Sequence, residues 1–142
     1  MKTRTIIVDL DGTVCTKSDR GWYEFSKVDT DIPIMDIVNL VRQLHIDGYK
    51  IVFCTAREEY SMEKSIFWIR KNIFMNDSIP VEIYMRRDGD RRPDTVVKRE
   101  LYKNFIEPRH NVWFVLEDRN SVVKMWRDEL GLTCLQVKDG DY

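Results

Sequence analysis

The chain is poor in the residues that build metal cages and covalent staples. Two histidines and three cysteines are all it has among 142 residues. Cys15, Cys54 and Cys134 are too widely spaced, and odd in number, for a disulfide framework or the paired ligands of a zinc site; reduced thiols in a cytoplasmic protein are the expectation. His45 and His110 stand alone, without metal-ligand spacing, and read as structural or exposed. No interior linker, repeat or low-complexity tract divides the chain, and no apolar run is long enough to cross a bilayer. The N-terminal MKTRTIIVDLDGT meets acids too soon for a signal peptide, so no membrane partner is expected. A strong charge of one sign is also missing: 23 basic and 24 acidic residues leave a net charge of -1, so a nucleic-acid partner would need a local patch. At 43% hydrophobic residues the length suits one core, read as a single domain over residues 1–142.

What is present is an alternation of strands and helices. Ile6 to Asp9 is a short apolar strand, and in the linker that follows it the stretch from Thr16 to Thr30 is the candidate mobile segment. Asp31 reads as the N-cap of a helix with Pro33 in its first turn and Ile34, Ile37, Val38, Val41 and Leu44 on one stripe, closed by Gly48. YKIVFCT (49–55) is a second strand. A helix within 58–74 places Met62, Ile66, Ile69 and Ile73 on one face. PVEIYM is a third strand, RRDGDRRP a loop, and a helix runs from about Asp94 to Phe105. VWFVL, a helix in RNSVVKMWRDEL ended by Gly131, and TCLQV complete the order. This predicts an α/β fold, a doubly wound, Rossmann-like parallel sheet of five strands, with its site at the carboxyl ends of the strands.

Those ends are unusual. Burying carboxylates costs several kcal/mol unless they are compensated, yet the first strand runs directly into Asp9 and Asp11. Thr55 and Arg57 follow the second strand, Arg86 and Arg87 the third, and Glu117, Asp118 and Arg119 the fourth. Acids, a hydroxyl and cations meeting on one edge suit a hard divalent cation and a phosphate, with Mg²⁺ as the expected cofactor. An EF-hand is excluded, because Val14 and Arg20 occupy the sixth and twelfth positions counted from Asp9. A phosphate loop of the G-x-x-x-x-G-K-[ST] type is absent as well.

DLDGT after a strand, CTAR ending the second strand, DTVVK opening a helix and LEDR ending a later strand resemble the four motifs of the haloacid dehalogenase phosphatase superfamily. DGTVCTKSDRGWY, RRDGDRRPDTVVKRE and QVKDGDY resemble, more narrowly, the 3′-phosphatase domains of polynucleotide kinase/phosphatases. The resemblance implies that Asp9 is the nucleophile of an aspartyl-phosphate mechanism and Asp11 the general acid and base. It implies that Mg²⁺ is held by Asp9, the main-chain carbonyl of Asp11, and Asp118. Thr55 would bind phosphoryl oxygens, although a helix cap is the alternative. Lys98 would steady nucleophile and phosphate, supported by Asp94 at the i to i+4 spacing. Glu117 stands where the family has an aspartate, so its longer side chain bears on the water shell of the ion.

No segment is large enough for a cap domain, which leaves room for the end of a polymer. Arg20, Arg57, Arg86 and Arg92 match substrate-binding positions of the family, and Arg119 has a supporting place. Arginine forks suit a scissile phosphate and the neighbouring diester. For Arg87 and Arg91, ion pairing with Asp88, Asp90 and Asp94 is an equal alternative. Trp22 and Tyr23 suit stacking on a base or, preferably, covering the core, while Trp68, Trp113 and Trp126 read as packing residues. The expected activity is removal of a 3′-phosphate from DNA or RNA ends, with a separate polynucleotide kinase or ligase as a possible partner. The alternatives are a phosphatase of small phosphate esters and an inactive end-binding module.

Overall fold

The computed structural model describes residues 3–142; Met1 and Lys2 lie outside the described residues. Five parallel strands form the main sheet: β1 (Arg4–Val8), β4 (Lys50–Glu58), β5 (Glu82–Arg86), β6 (Asn111–Glu117) and β7 (Cys134–Gln136), in the order β5-β4-β1-β6-β7. A separate antiparallel pair joins β2 (Cys15–Thr16) to β3 (Ile32–Pro33). The helices are α1 (Met35–Ile46), α2 (Met62–Ile69), α3 (Asp94–Leu101) and α4 (Asn120–Lys124). The last three each continue into a π turn, over Arg70–Phe74, Tyr102–Ile106 and Met125–Glu129.

Alternation along the strands builds two cores. Ile6 and Val8, with Ile51 and Phe53, face α1 and α2, whereas Ile7, Val52, Cys54 and Val115 face α3 and α4. The strand order reverses at β1, which pairs with β4 on one side and β6 on the other. This is the point at which a doubly wound sheet opens a crevice beyond its carboxyl ends. Among the described residues no helix is long and apolar enough to cross a membrane.

Three expectations from the sequence need correction. The helix read from Asp31 begins instead at Met35, because the Asp31 carboxylate is taken up by Arg20 and Arg57 and Ile32–Pro33 pairs with Cys15–Thr16. The stretch before it is built into the fold: it carries a 3₁₀ turn over Phe25–Thr30 with Phe25 and Val28 buried. Trp113, read as a packing residue, is 50% exposed, standing edge-on to Tyr49.

Candidate active site

The end of β1 is pinned between its neighbours, with the Asp9 N–H donating to the Leu116 carbonyl at 3.1 Å. This brings Asp9 beside Glu117 and Asp118 at the end of β6. All three are buried, and one carboxylate oxygen from each lies within 4.8 Å of the others. Lys98, projecting from α3, reaches into the cluster and donates to Asp9 Oδ1 and Glu117 Oε1, both at 2.8 Å. The Thr13 hydroxyl stands between the other two oxygens, 3.0 Å from Asp9 Oδ2 and 3.1 Å from Asp118 Oδ1. A hydroxyl has one proton, so it can satisfy only one of them at a time. Asp118 approaches this closely because residue 12 lacks a side chain: at Gly12, with φ of +85°, a Cβ would lie 2.1 Å from Asp118 Oδ2.

The electrostatics follow from that crowding. Burial, and then the neighbouring Glu117, pushes the Asp9 carboxyl up to about 8. Burial and Asp9 push Asp118 up to about 6. Burial opposes the charge of Lys98, but Asp9 and Glu117 outweigh it and hold the ammonium protonated well above its ordinary value. Three carboxylates against one ammonium leave the cluster short of positive charge. The donors are all hard oxygens, so this set fits a divalent cation of the Mg²⁺ type.

Asp11 lies in a second, charge-balanced cluster. Arg57 grips it with Nε at 3.0 Å and Nη2 at 2.9 Å, and the same Nη2 is 2.7 Å from Asp31 Oδ2. Arg20 donates to Asp31 Oδ1 through Nε at 2.7 Å and to Asp11 Oδ1 through Nη2 at 3.2 Å. Ser65 receives the remaining arm of Arg57 at 2.9 Å. Burial works against the Asp11 carboxylate, yet Arg57 and then Arg20 hold its pKa below the ordinary value. Asp11 is also the open member, its side chain 43% exposed while both arginines are buried. Thr55 is buried beneath them, its hydroxyl accepting the Arg57 N–H at 3.2 Å. It caps no helix, since α2 starts only at Met62.

Arg86 organises the loop after β5. It donates to the carbonyls of Ala56, Asp90 and Arg92 and to Asp94 Oδ1, the last at 2.7 Å. Asp94 Oδ2 takes Arg119 at 2.8 Å. Asp94 therefore does not support Lys98 as its spacing suggested; its carboxylate faces the arginines at the ends of β5 and β6, while Lys98 turns inward to Asp9 and Glu117. Arg92 is paired with Asp90 and Glu100 on the surface. Arg87 and Arg91 are exposed and, among the described residues, enter none of these ion pairs. Trp22 and Tyr23 do not cover the core: they are 75% and 86% exposed. The Arg20 guanidinium, which holds Asp11, also donates to the Trp22 carbonyl at 3.3 Å, so the main chain of this segment borders the site.

Sequence reasoning missed Asp31, Thr13, Ser65 and Tyr142, whose hydroxyl donates to Asp118. Asp31 had a signal, an acid directly before an apolar helix, but it pointed to capping.

Acids at the end of the central strand, a hydroxyl on its neighbour, an ammonium from a crossover helix and further acids across the crevice make this an α/β phosphatase of the haloacid dehalogenase type without a large cap. Residues 3–142 match the family described as "Polynucleotide kinase PNKP phosphatase domain", and the chain belongs to that family. It is 32% identical over 127 residues to a protein of Autographa californica nuclear polyhedrosis virus named "Putative bifunctional polynucleotide kinase/RNA ligase", covering 88% of this chain and 18% of that protein. A chain in the solved "Structure of Pnkp1/Rnl/Hen1 complex" superposes with a TM-score of 0.89 at 33% identity, covering 99% of this chain and 48% of that one. The D,D-heptose 1,7-bisphosphate phosphatase of B. bronchiseptica shares the fold, with a TM-score of 0.62 at 16% identity, covering 94% of this chain and 79% of that one. The chain thus spans less than half the length of the first two relatives.

Proposed function

We propose that residues 1–142 form one Mg²⁺-dependent polynucleotide 3′-phosphatase unit that removes a 3′-phosphate from DNA or RNA ends and leaves a 3′-hydroxyl. The observation that carries this reading is a division of labour between two acids two residues apart. Asp9 is buried on Lys98, while Asp11 is open and gripped by Arg57. Membership of the polynucleotide kinase phosphatase family supports the polymer substrate.

In this reading an Asp9 carboxylate oxygen attacks phosphorus and the bond from phosphorus to the 3′ oxygen breaks. Asp11 in its protonated form delivers its proton to the departing oxygen. Water then attacks the aspartyl-phosphate, Asp11 takes up its proton, and the bond to Asp9 breaks to release inorganic phosphate. Bound Mg²⁺, held by Asp9, the Asp11 carbonyl and Asp118, would offset the negative charge of acids and phosphate. Lys98 and the Thr55 hydroxyl hold phosphoryl oxygens. Arg20 and Arg57 exchange their grip on Asp11 for the incoming phosphate, which frees Asp11 to take a proton. Glu117 keeps Lys98 aligned, and Asp94 ties Arg86 to Arg119.

The site's surroundings suit a strand end. Between β1 and α1 there is only the small β2–β3 pair and a 3₁₀ turn, so no lid encloses the substrate. Arg87 and Arg91 are free to meet backbone phosphates beside Arg92, whose loop Arg86 holds. Trp22 and Tyr23 offer faces for bases, each stack contributing about 1–3 kcal/mol. Because the relatives are longer chains, a kinase or ligase, joined or separate, is the proposed partner.

The test is phosphate release from matched oligonucleotides bearing a 3′- or a 5′-phosphate, with Mg²⁺ or EDTA. Release from the 3′ end alone, abolished by EDTA, is expected. A preference for a nucleoside 3′-monophosphate over the oligonucleotide would assign a small-ester phosphatase instead, and silence on all three with Mg²⁺ an inactive binding module. Asp11→Asn is expected to lower kcat by roughly 10²–10⁴, the contribution of one general acid and base. On p-nitrophenyl phosphate, whose leaving group needs no proton, Asp11→Asn should keep a rapid burst of p-nitrophenolate, because only the water step then lacks its base; a burst slowed as much as release from the oligonucleotide would remove Asp11 from the role of general acid.

A further inference from the structure

Residues 136–142 lie as a strap across the loop that carries Asp118. Gln136 Nε2 donates to the Asp118 carbonyl at 2.9 Å, and the Val137 N–H to the Glu117 carbonyl at 3.0 Å. In the other direction the Asn120 N–H donates to the Gly140 carbonyl at 2.9 Å and Arg119 Nε to the Tyr142 carbonyl at 2.7 Å. The contact is main chain against main chain: a Cβ at position 140 would sit 1.9 Å from the Asp118 carbonyl oxygen.

The strap ends on the acid cluster itself. The Tyr142 hydroxyl donates to Asp118 Oδ2, while Asp118 Oδ1 faces the Thr13 hydroxyl. The two oxygens of one buried carboxylate are thereby addressed by hydroxyls from opposite ends of the chain. Packing does not explain where the phenol stands. Tyr142 is 61% exposed, with Lys138 Nζ standing 5.6 Å from its ring centre.

We propose that Tyr142 is a positioning residue for the metal: through the strap it fixes the rotation of the Asp118 carboxylate, so that the cation meets a preset ligand. The inference rests on the reading of Asp118 as a Mg²⁺ ligand. Carboxylate ligands are themselves oriented by hydrogen bonds, and losing such a partner typically weakens metal binding by about 10–100-fold.

The experiment is titration of the intact protein with Mg²⁺ alone by calorimetry, for the wild type, Tyr142→Phe, Gly140→Ala and Asp118→Asn. Tyr142→Phe removes one oxygen and nothing else. Its Mg²⁺ affinity is expected to fall about 10-fold or more, while its melting temperature in EDTA stays at the wild-type value. The Mg²⁺ concentration needed for half-maximal phosphate release should rise by the same factor, with kcat recovered at saturating metal. Gly140→Ala, which forces the strap off Asp118, should weaken Mg²⁺ binding in the same direction. Unchanged affinity in Tyr142→Phe would overturn the proposal, all the more if stability in EDTA fell, since the tyrosine would then be structural. Tighter binding would overturn it too, by making the hydroxyl a competitor of the metal. Asp118→Asn separates the two readings: wild-type Mg²⁺ binding in that variant would refute the metal site itself, whereas lost binding there together with unchanged binding in Tyr142→Phe would refute only the role of the strap.

Discussion

Asp9→Asn is expected to leave a folded protein whose phosphate release falls by at least about 10⁴-fold, the scale on which removal of a nucleophile acts. Asparagine keeps the shape of the side chain but has no carboxylate oxygen with which to form the aspartyl-phosphate. Nor should the substitution unfold the chain. Burial and the nearby Glu117 already disfavour the charge of Asp9, so a neutral residue relieves repulsion even as it weakens the hold on Lys98. The measurement is kcat on a 3′-phosphorylated oligonucleotide together with the melting temperature. Full activity in Asp9→Asn would refute the covalent mechanism. Lost activity with a collapsed melting temperature would mean that Asp9 is needed for folding.

Lys98→Met should have the largest effect on stability. Its ammonium is buried and, among the described residues, is the one cation touching both Asp9 and Glu117. Methionine fills similar volume but leaves two buried carboxylates without their partner, a change that costs about 3–5 kcal/mol in comparable sites. Urea unfolding in EDTA reads this directly, as a lower midpoint with an unchanged slope. Adding Glu117→Gln should recover part of the loss, because it removes one of the stranded charges, and the double variant should depart from additivity by more than about 0.5 kcal/mol. If Lys98→Met instead lost less than about 1 kcal/mol, the surroundings would be neutralising the acids without it, as exposed pairs allow.

The sheet and the address of the site were legible because both depend on short-range patterns. Apolar runs such as Ile6–Val8 and Ile51–Cys54 mark strands, and parallel connection by crossovers brings Asp9, Thr55 and Asp118 to one edge. Choice among partners was not legible. Asp94 and Lys98 have ideal helical spacing, but Arg86 and Arg119 reach Asp94 from two other strand ends, and local spacing carries no information about them. Asp31 was mistaken for a cap because its two arginines lie 11 and 26 residues away along the chain. Arg20 and Arg57, matched to substrate-binding positions, lie buried in a network with Asp11 and Asp31 that spacing along the chain does not disclose. The Tyr142 contact had no local signal at all, spanning 24 residues to an acid whose neighbours were already assigned.

The central place of β1 has a consequence in time. Thr13 and Asp118 are 105 residues apart, and β1 acquires its second neighbour only with β6. A chain emerging from a ribosome at roughly 5–20 residues per second therefore carries Asp9 for several seconds before the opposing acids exist. Until β6 emerges the β1 edge that it will cover has no partner, and until α3 emerges Asp9 has no Lys98. On the proposed mechanism, phosphate release would therefore begin only late in folding, when strands distant in sequence have closed around Asp9.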